Sequence, residues 1–303
     1  MSIVSKENIQ AVTSHYLALG ATLYTPATRR DLAQILRLEK LSSLRSVVAC
    51  TEDAIHLHEL EVALSNLEQI FAQGLGRNVA FFIRSRNLEV LKRLMAMPGI
   101  DAVDGIVLPK VTPEELPMLA EVVSQLPQLC LMPTIETADA FDRRRLIKLR
   151  NALEQVINPV LCLRVGGNDL LRLLGLKRPK WLTLYDTPLR AVINDIIVTF
   201  RPAGYEISAP AFEHLDSPET LIREVELDVA HGLLSKTAIH PLQIPIIEQA
   251  YRVSLEEREM AERILAPDAL AVFRYAGQMC EPATHRPWAK RLLLRAELFG
   301  MMS

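Results

Sequence analysis

The chain is poor in the features that mark several protein classes. Only 4 of its 303 residues are cysteines. Cys50, Cys130, Cys162 and Cys280 stand far apart and three of them sit in apolar runs, whereas disulfide frameworks and zinc sites need them clustered, so reduced, buried thiols are expected. No apolar run approaches the roughly 18 residues that span a bilayer, and Met1 to Gln10 is too polar for a signal peptide. A cytoplasmic protein without a membrane partner is the expectation. Net charge is also nearly absent: 34 basic and 36 acidic side chains, mixed along the sequence, leave −2. Such a chain has no broad field to attract nucleic acid or anionic lipid, which favours a small-molecule partner.

What is abundant is core material, with 50% of residues apolar and only 23% charged. Short apolar runs rich in β-branched residues alternate with longer amphipathic segments, the pattern of parallel strands separated by crossover helices. Strands are expected near Ala21–Thr25, Ser46–Thr51, Val79–Ile83, Gly105–Leu108, Leu129–Ile135, Pro159–Val165, Tyr205–Ser208 and Lys236–Ile239. Runs such as Val160-Leu161-Cys162-Leu163 suit strands covered on both faces. Thr112-Pro113-Glu114-Glu115 and Asp216-Ser217-Pro218-Glu219 each place a cap, an early proline and acids at a helix start. Eight βα units predict a (β/α)₈ TIM barrel, a fold that routinely takes about 250 residues as one domain. The barrel is expected over 1–265, with a C-terminal helical extension over 266–303 serving as a lid or an oligomer contact. The long link between strands six and seven is expected to carry two helices.

Catalytic groups of such barrels come from the C-terminal ends of the strands, where the loops converge on one mouth. Just past the expected strands stand Arg29, Glu52 and Asp53, Arg84 and Arg86, Lys110, Glu136, Asn168 and Asp169, and His240. Any one of them, taken alone, reads as loop polarity or a helix cap. Together they fit a site where carboxylates hold a divalent cation and arginines hold an anionic substrate. Glu136 ends an apolar strand, and in Gly166-Gly167-Asn168-Asp169 paired glycines let backbone pass close to a ligand before an acid. Two carboxylates completed by water and substrate oxygens suit Mg²⁺, with Mn²⁺ as the alternative, better than zinc.

Arg84, Gly105-Ile106-Val107-Leu108-Pro109-Lys110, Ile135-Glu136-Thr137, the run from Gly166 to Gly175, and Lys236-Thr237-Ala238-Ile239-His240-Pro241 follow one another in an order that resembles the citrate lyase β-subunit-like branch of the HpcH/HpaI aldolase superfamily. The likeness runs from about Tyr24 to about Gln249. It implies a Mg²⁺-dependent lyase or aldolase, commonly a homo-oligomer, acting on a keto acid, a hydroxy acid or its acyl-CoA thioester. Carried over, Glu136 and Asp169 are the metal ligands. Arg84 and Arg29 bind the substrate with Gly167 and Asn168 beside them, and Arg84, Arg29 and Lys110 are the catalytic candidates. Glu52 and Asp53 reach the metal through water, while His240 supports the site from behind.

The sequence departs from the family pattern at Cys50-Thr51-Glu52-Asp53-Ala54, where one acid of the usual Asp-Leu-Glu-Asp-Ala is missing. Ser235 stands where a glycine commonly precedes the lysine, and Ile207-Ser208-Ala209-Pro210 lacks a common aspartate. Two other readings therefore stay open: thioester hydrolysis on the same site, and a barrel that serves as a non-catalytic partner. A Schiff-base role for Lys110 is disfavoured, because neighbouring carboxylates would hold it protonated.

Overall fold

The computed structural model describes residues 13–74 and 76–302; the polar segment Met1 to Gln10 lies outside them. Eight parallel strands, β1 (Ala21–Pro26), β2 (Ser46–Cys50), β3 (Ala80–Arg84), β4 (Gly105–Leu108), β5 (Cys130–Ile135), β6 (Leu163–Val165), β7 (Ile207–Ser208) and β8 (Lys236–Ala238), form one sheet in the order β7-β6-β5-β4-β3-β2-β1-β8. The sheet closes where Ala209 bridges Lys236 in parallel, its N–H donating to the Ser235 carbonyl at 2.7 Å and its carbonyl accepting from Thr237 at 3.2 Å. Closure satisfies the strand edges that an open sheet would expose.

The near-continuous apolar runs follow from two buried faces. Val48, Phe82, Val107, Met132 and Cys162 point into the barrel, while their neighbours Val47, Phe81, Ile106, Leu131 and Leu163 pack outward against the helices. Each strand thus needs apolar side chains at both parities. β6 starts at Leu163, later than the expected Pro159: Val160 bridges Leu131, but the ladder resumes only at Thr134 with Arg164, so one extra residue on this strand interrupts the pairing.

The inward layer is plugged from the N-terminal end of the strands. Tyr16, in a helical turn over 13–18, donates its hydroxyl to the Ile207 carbonyl at 2.5 Å and accepts from the Leu234 N–H at 2.8 Å. With that end filled, the open space lies at the C-terminal end.

The long β6–β7 connection carries the helices Gly167–Leu173 and Leu189–Phe200. It is tied down by a buried charge cluster. Lys236 Nζ lies 2.9 Å from both Glu224 and Asp228, Tyr185 donates to Asp228 at 2.7 Å, and Arg178 pairs with Glu224 and Glu213.

Beyond the barrel, the helix Leu255–Leu265 and the long helix Pro282–Phe299 share a small core with Val253, Met260, Ile264, Cys280 and Leu292. Between them a hairpin, β9 (Phe273–Tyr275) and β10 (Gln278–Cys280), turns through Ala276 and Gly277 at φ 46 and 80, the left-handed pair of a tight two-residue turn. The expectation of helix alone missed this hairpin. The long helix lies against the barrel's N-terminal end: Arg45, just before β2, donates to the Leu298 carbonyl at 2.6 Å and covers the Phe299 ring, and Arg291 pairs with Glu206, just before β7. That helix is therefore at the end of its own barrel opposite the mouth. All four cysteines are free thiols, and among the described residues no helix is long and apolar enough to cross a membrane.

Candidate active site

At the C-terminal ends of the strands lies a cavity of about 320 Å³, its wall including Asp53, Arg84, Glu136, Asn168 and Asp169. Four strands, β2, β3, β5 and β6, contribute these polar groups because each ends where its apolar run ends, leaving the next inward position free of the core.

Glu136, immediately after β5, is 3% exposed. Its Oε1 accepts from the Arg84 guanidinium and from the Lys110 N–H, both at 2.9 Å, while Oε2 packs toward the backbone of Gly166, where a Cβ would overlap it. Burial pushes the Glu136 carboxyl up to about 7, resisted by Arg84 and the Lys110 N–H and helped by the charges of Glu52 and Asp169. Desolvated and beside two more carboxylates, Glu136 has a strong electrostatic demand for additional positive charge.

Arg84, at the end of β3, pairs with both Glu136 and Glu52. Burial alone would pull its pKa down, but the two carboxylates outweigh that and hold it above the usual arginine value. Lys110 has φ 51, a left-handed conformation that a non-glycine residue seldom adopts, and this turn aims its N–H at Glu136. Its ammonium pairs with Glu52 and, at 3.1 Å, with Asp53. Burial acts to lower the lysine pKa, yet these ion pairs more than offset it and keep Lys110 protonated beyond the usual range.

Asp169 stands in the first turn of the helix Gly167–Leu173 and pairs with Arg172 at 3.2 Å. Gly167 and Asn168 line the same wall, and a Cβ on Gly167 would press at 3.0 Å on both Leu184 and Pro210. Among the described residues no group of three or more His, Cys, Asp or Glu side chains could hold a metal. Glu136 and Asp169 share the cavity wall, and the charge of Asp169 acts on the Glu136 carboxyl; two hard carboxylates with the remaining positions left to water and substrate would suit Mg²⁺.

Two expected residues stand apart. Arg29 is absent from the cavity wall and pairs with Asp31, which also holds Lys40 at 2.6 Å. The His240 ring accepts from the Leu242 N–H at 3.3 Å and is absent from the cavity wall. Conversely, sequence reasoning passed over Arg164, Tyr24 and Thr237, which line the cavity. A charged residue inside an expected buried strand, Leu163-Arg164-Val165, was the signal available for the first.

A closed parallel barrel with carboxylates and an arginine at its C-terminal mouth has the layout of the barrel enzymes, whose active sites lie at that face. The model of the C–C bond lyase family of the TIM-barrel fold matches residues 13–301, and the chain belongs to that family. The (3S)-malyl-CoA thioesterase of Cereibacter sphaeroides is 27% identical over 262 residues, 81% of each chain. Among solved structures, the CitE protein of Mycobacterium tuberculosis, in complex with magnesium, acetoacetate and coenzyme A, is 23% identical with a TM-score of 0.70, covering 93% of this chain and 99% of that one. A citrate lyase from Burkholderia xenovorans is 17% identical with a TM-score of 0.74, covering 94% and 93%.

Proposed function

We propose that this lyase binds Mg²⁺ through Glu136 and Asp169 and makes or breaks a carbon–carbon bond beside the carboxylate of a hydroxy acid, a keto acid or its acyl-CoA thioester. The observation that carries the reading is Glu136: a buried carboxylate with its pKa pushed to about 7, sharing a cavity wall with Asp169. When bound, the cation supplies Lewis-acid polarisation where an enolate or carbanion charge develops. Arg84, fixed by Glu136 and Glu52, presents a preorganised positive charge to the same substrate oxygens. Lys110 holds Glu52 and Asp53 in place through its ammonium and Glu136 through its N–H. Gly167 and Asn168 shape the wall that the substrate meets, and Arg29 and His240 stay outside this core.

The test is incubation of the protein and Mg²⁺ with hydroxy acids and their CoA thioesters, with assay of released keto acid or aldehyde. Release by the parent and its loss in Glu136→Gln support the reading; no cleavage or condensation with any member of the panel counts against it. Thioester hydrolysis is the second reading, favoured by the likeness to a (3S)-malyl-CoA thioesterase; it would appear as free thiol without a cleaved carbon skeleton. A cytoplasmic homo-oligomer belongs to the same proposal, and light scattering measures the assembly.

A further inference from the structure

Arg164 is a buried cation that pairs with no counter-ion among the described residues. It is 2% exposed and lines the cavity that Glu136 and Asp169 share. Its partners are a hydroxyl, Thr237 Oγ1 at 2.8 Å, a thioether, Met132 Sδ at 3.5 Å, and the face of the Tyr24 ring at 5.0 Å. Among the described residues its Nε has no partner and no carboxylate pairs with it. An arginine cannot relieve the cost of burial by losing its proton, and a hydroxyl, a sulfur and a ring leave most of its five N–H donors poorly used.

The register places this charge below the carboxylate centre. Arg164 pairs with Thr134 across β5 and β6, and Glu136 is the next residue of the same parity on β5. Arg164 therefore sits one inward layer, roughly 6–7 Å along the strand, toward the floor. Arg84 and Arg164 line the same cavity, so a short molecule whose first carboxylate meets Arg84 can carry a second charged group toward Arg164.

We propose that Arg164 is the specificity-determining residue of the site and receives the second carboxylate of a short dicarboxylic hydroxy or keto acid. This rests on the reading of the mouth as a Mg²⁺-dependent hydroxy-acid or keto-acid centre. A monocarboxylate of the same length leaves the guanidinium unpaired, and a site built around such a group rejects the analogue that cannot satisfy it.

The experiment is calorimetric titration with malate and with 2-hydroxybutyrate, which share four carbons and the hydroxyl and differ in carboxylate against methyl at the far end. Both are titrated with and without Mg²⁺ into the parent, Arg164→Met and Glu136→Gln. The parent prefers malate by at least about tenfold; Arg164→Met brings the two within about twofold and raises the Tm of the ligand-free protein; Glu136→Gln weakens both acids alike. Arg164→Gln supplies the same ratio should the methionine variant fail to fold. An unchanged ratio in the neutral Arg164 variants overturns the inference, as does a lowered Tm with the preference intact. Failure of the metal reading shows separately, as affinities indifferent to Mg²⁺ while the Arg164 ratio stays readable. Binding of neither acid by the parent overturns both.

Discussion

Gly166 is a glycine because Glu136 occupies the space where its side chain would stand: a Cβ there would overlap both Oε2 and the Cβ of Glu136. The close approach serves the site, since it lets the turn that carries Asp169 lie against the carboxylate ending β5. Gly166→Ala should therefore move Glu136 and cost about 100-fold or more in kcat/KM, given how steeply catalysis depends on small displacements. The checking measurement is kinetics beside a thermal melt. Near-parental activity would show that Glu136 can move without consequence.

The raised pKa of Glu136 gives a pH dependence with a definite sign. The carboxyl goes from 4.5 to about 7 on folding, so the metal-free folded state binds more protons than the unfolded chain between those values. Its charge costs nothing below about pH 4.5 and roughly 3 kcal/mol above about pH 7. Stability of the metal-free protein should fall as pH rises through that window, and Glu136→Gln should flatten the slope. Mg²⁺ affinity should run the opposite way, weakening below pH 7 as protons compete for the oxygen. Denaturant melts across pH 4 to 8, with and without Mg²⁺, read both trends.

Lys110 is held protonated by Glu52 and Asp53, which removes the free amine that a Schiff base needs. Borohydride added with a keto acid should neither inactivate the enzyme nor add mass to it. Mass spectrometry showing a reduced adduct on Lys110 would reassign the chemistry.

The charge cluster behind β8 makes a prediction about stability alone. Lys236 is fully buried between Glu224 and Asp228, so Lys236→Met leaves carboxylates uncompensated and should cost roughly 3–5 kcal/mol. Urea unfolding measures it. A neutral result would mean that Arg178 and Tyr185 suffice to hold the two acids.

The barrel was legible because strands covered on both faces must be apolar at both parities, and such runs end abruptly at Glu136, Arg84 or Lys110. β6 was placed four residues early because hydrophobicity does not reveal the one-residue shift in register between the Leu131–Val160 bridge and the Thr134–Arg164 pair. The hairpin around Ala276 and Gly277 was hidden by its length, three residues a side with side chains largely exposed. Arg29 was found by position, but its direction is set by Asp31 two residues on, which periodicity does not report. Arg164 was lost inside an apolar run because its one-layer depth becomes evident only once the register with Thr134 is known. The seat of the long C-terminal helix depends on contacts such as Arg45 with Leu298, some 250 residues apart, which no local pattern carries.

Glu136 and Asp169 are proposed to share one cation, and a double-mutant cycle on Mg²⁺ affinity reads that sharing. Titration calorimetry at pH 8 on the parent, Glu136→Gln, Asp169→Asn and the double variant should show at least tenfold weaker binding for each single change. The double change should cost clearly less than the product of the two, the signature of residues acting on one ion. Parental Mg²⁺ affinity in either single variant would contradict the claim.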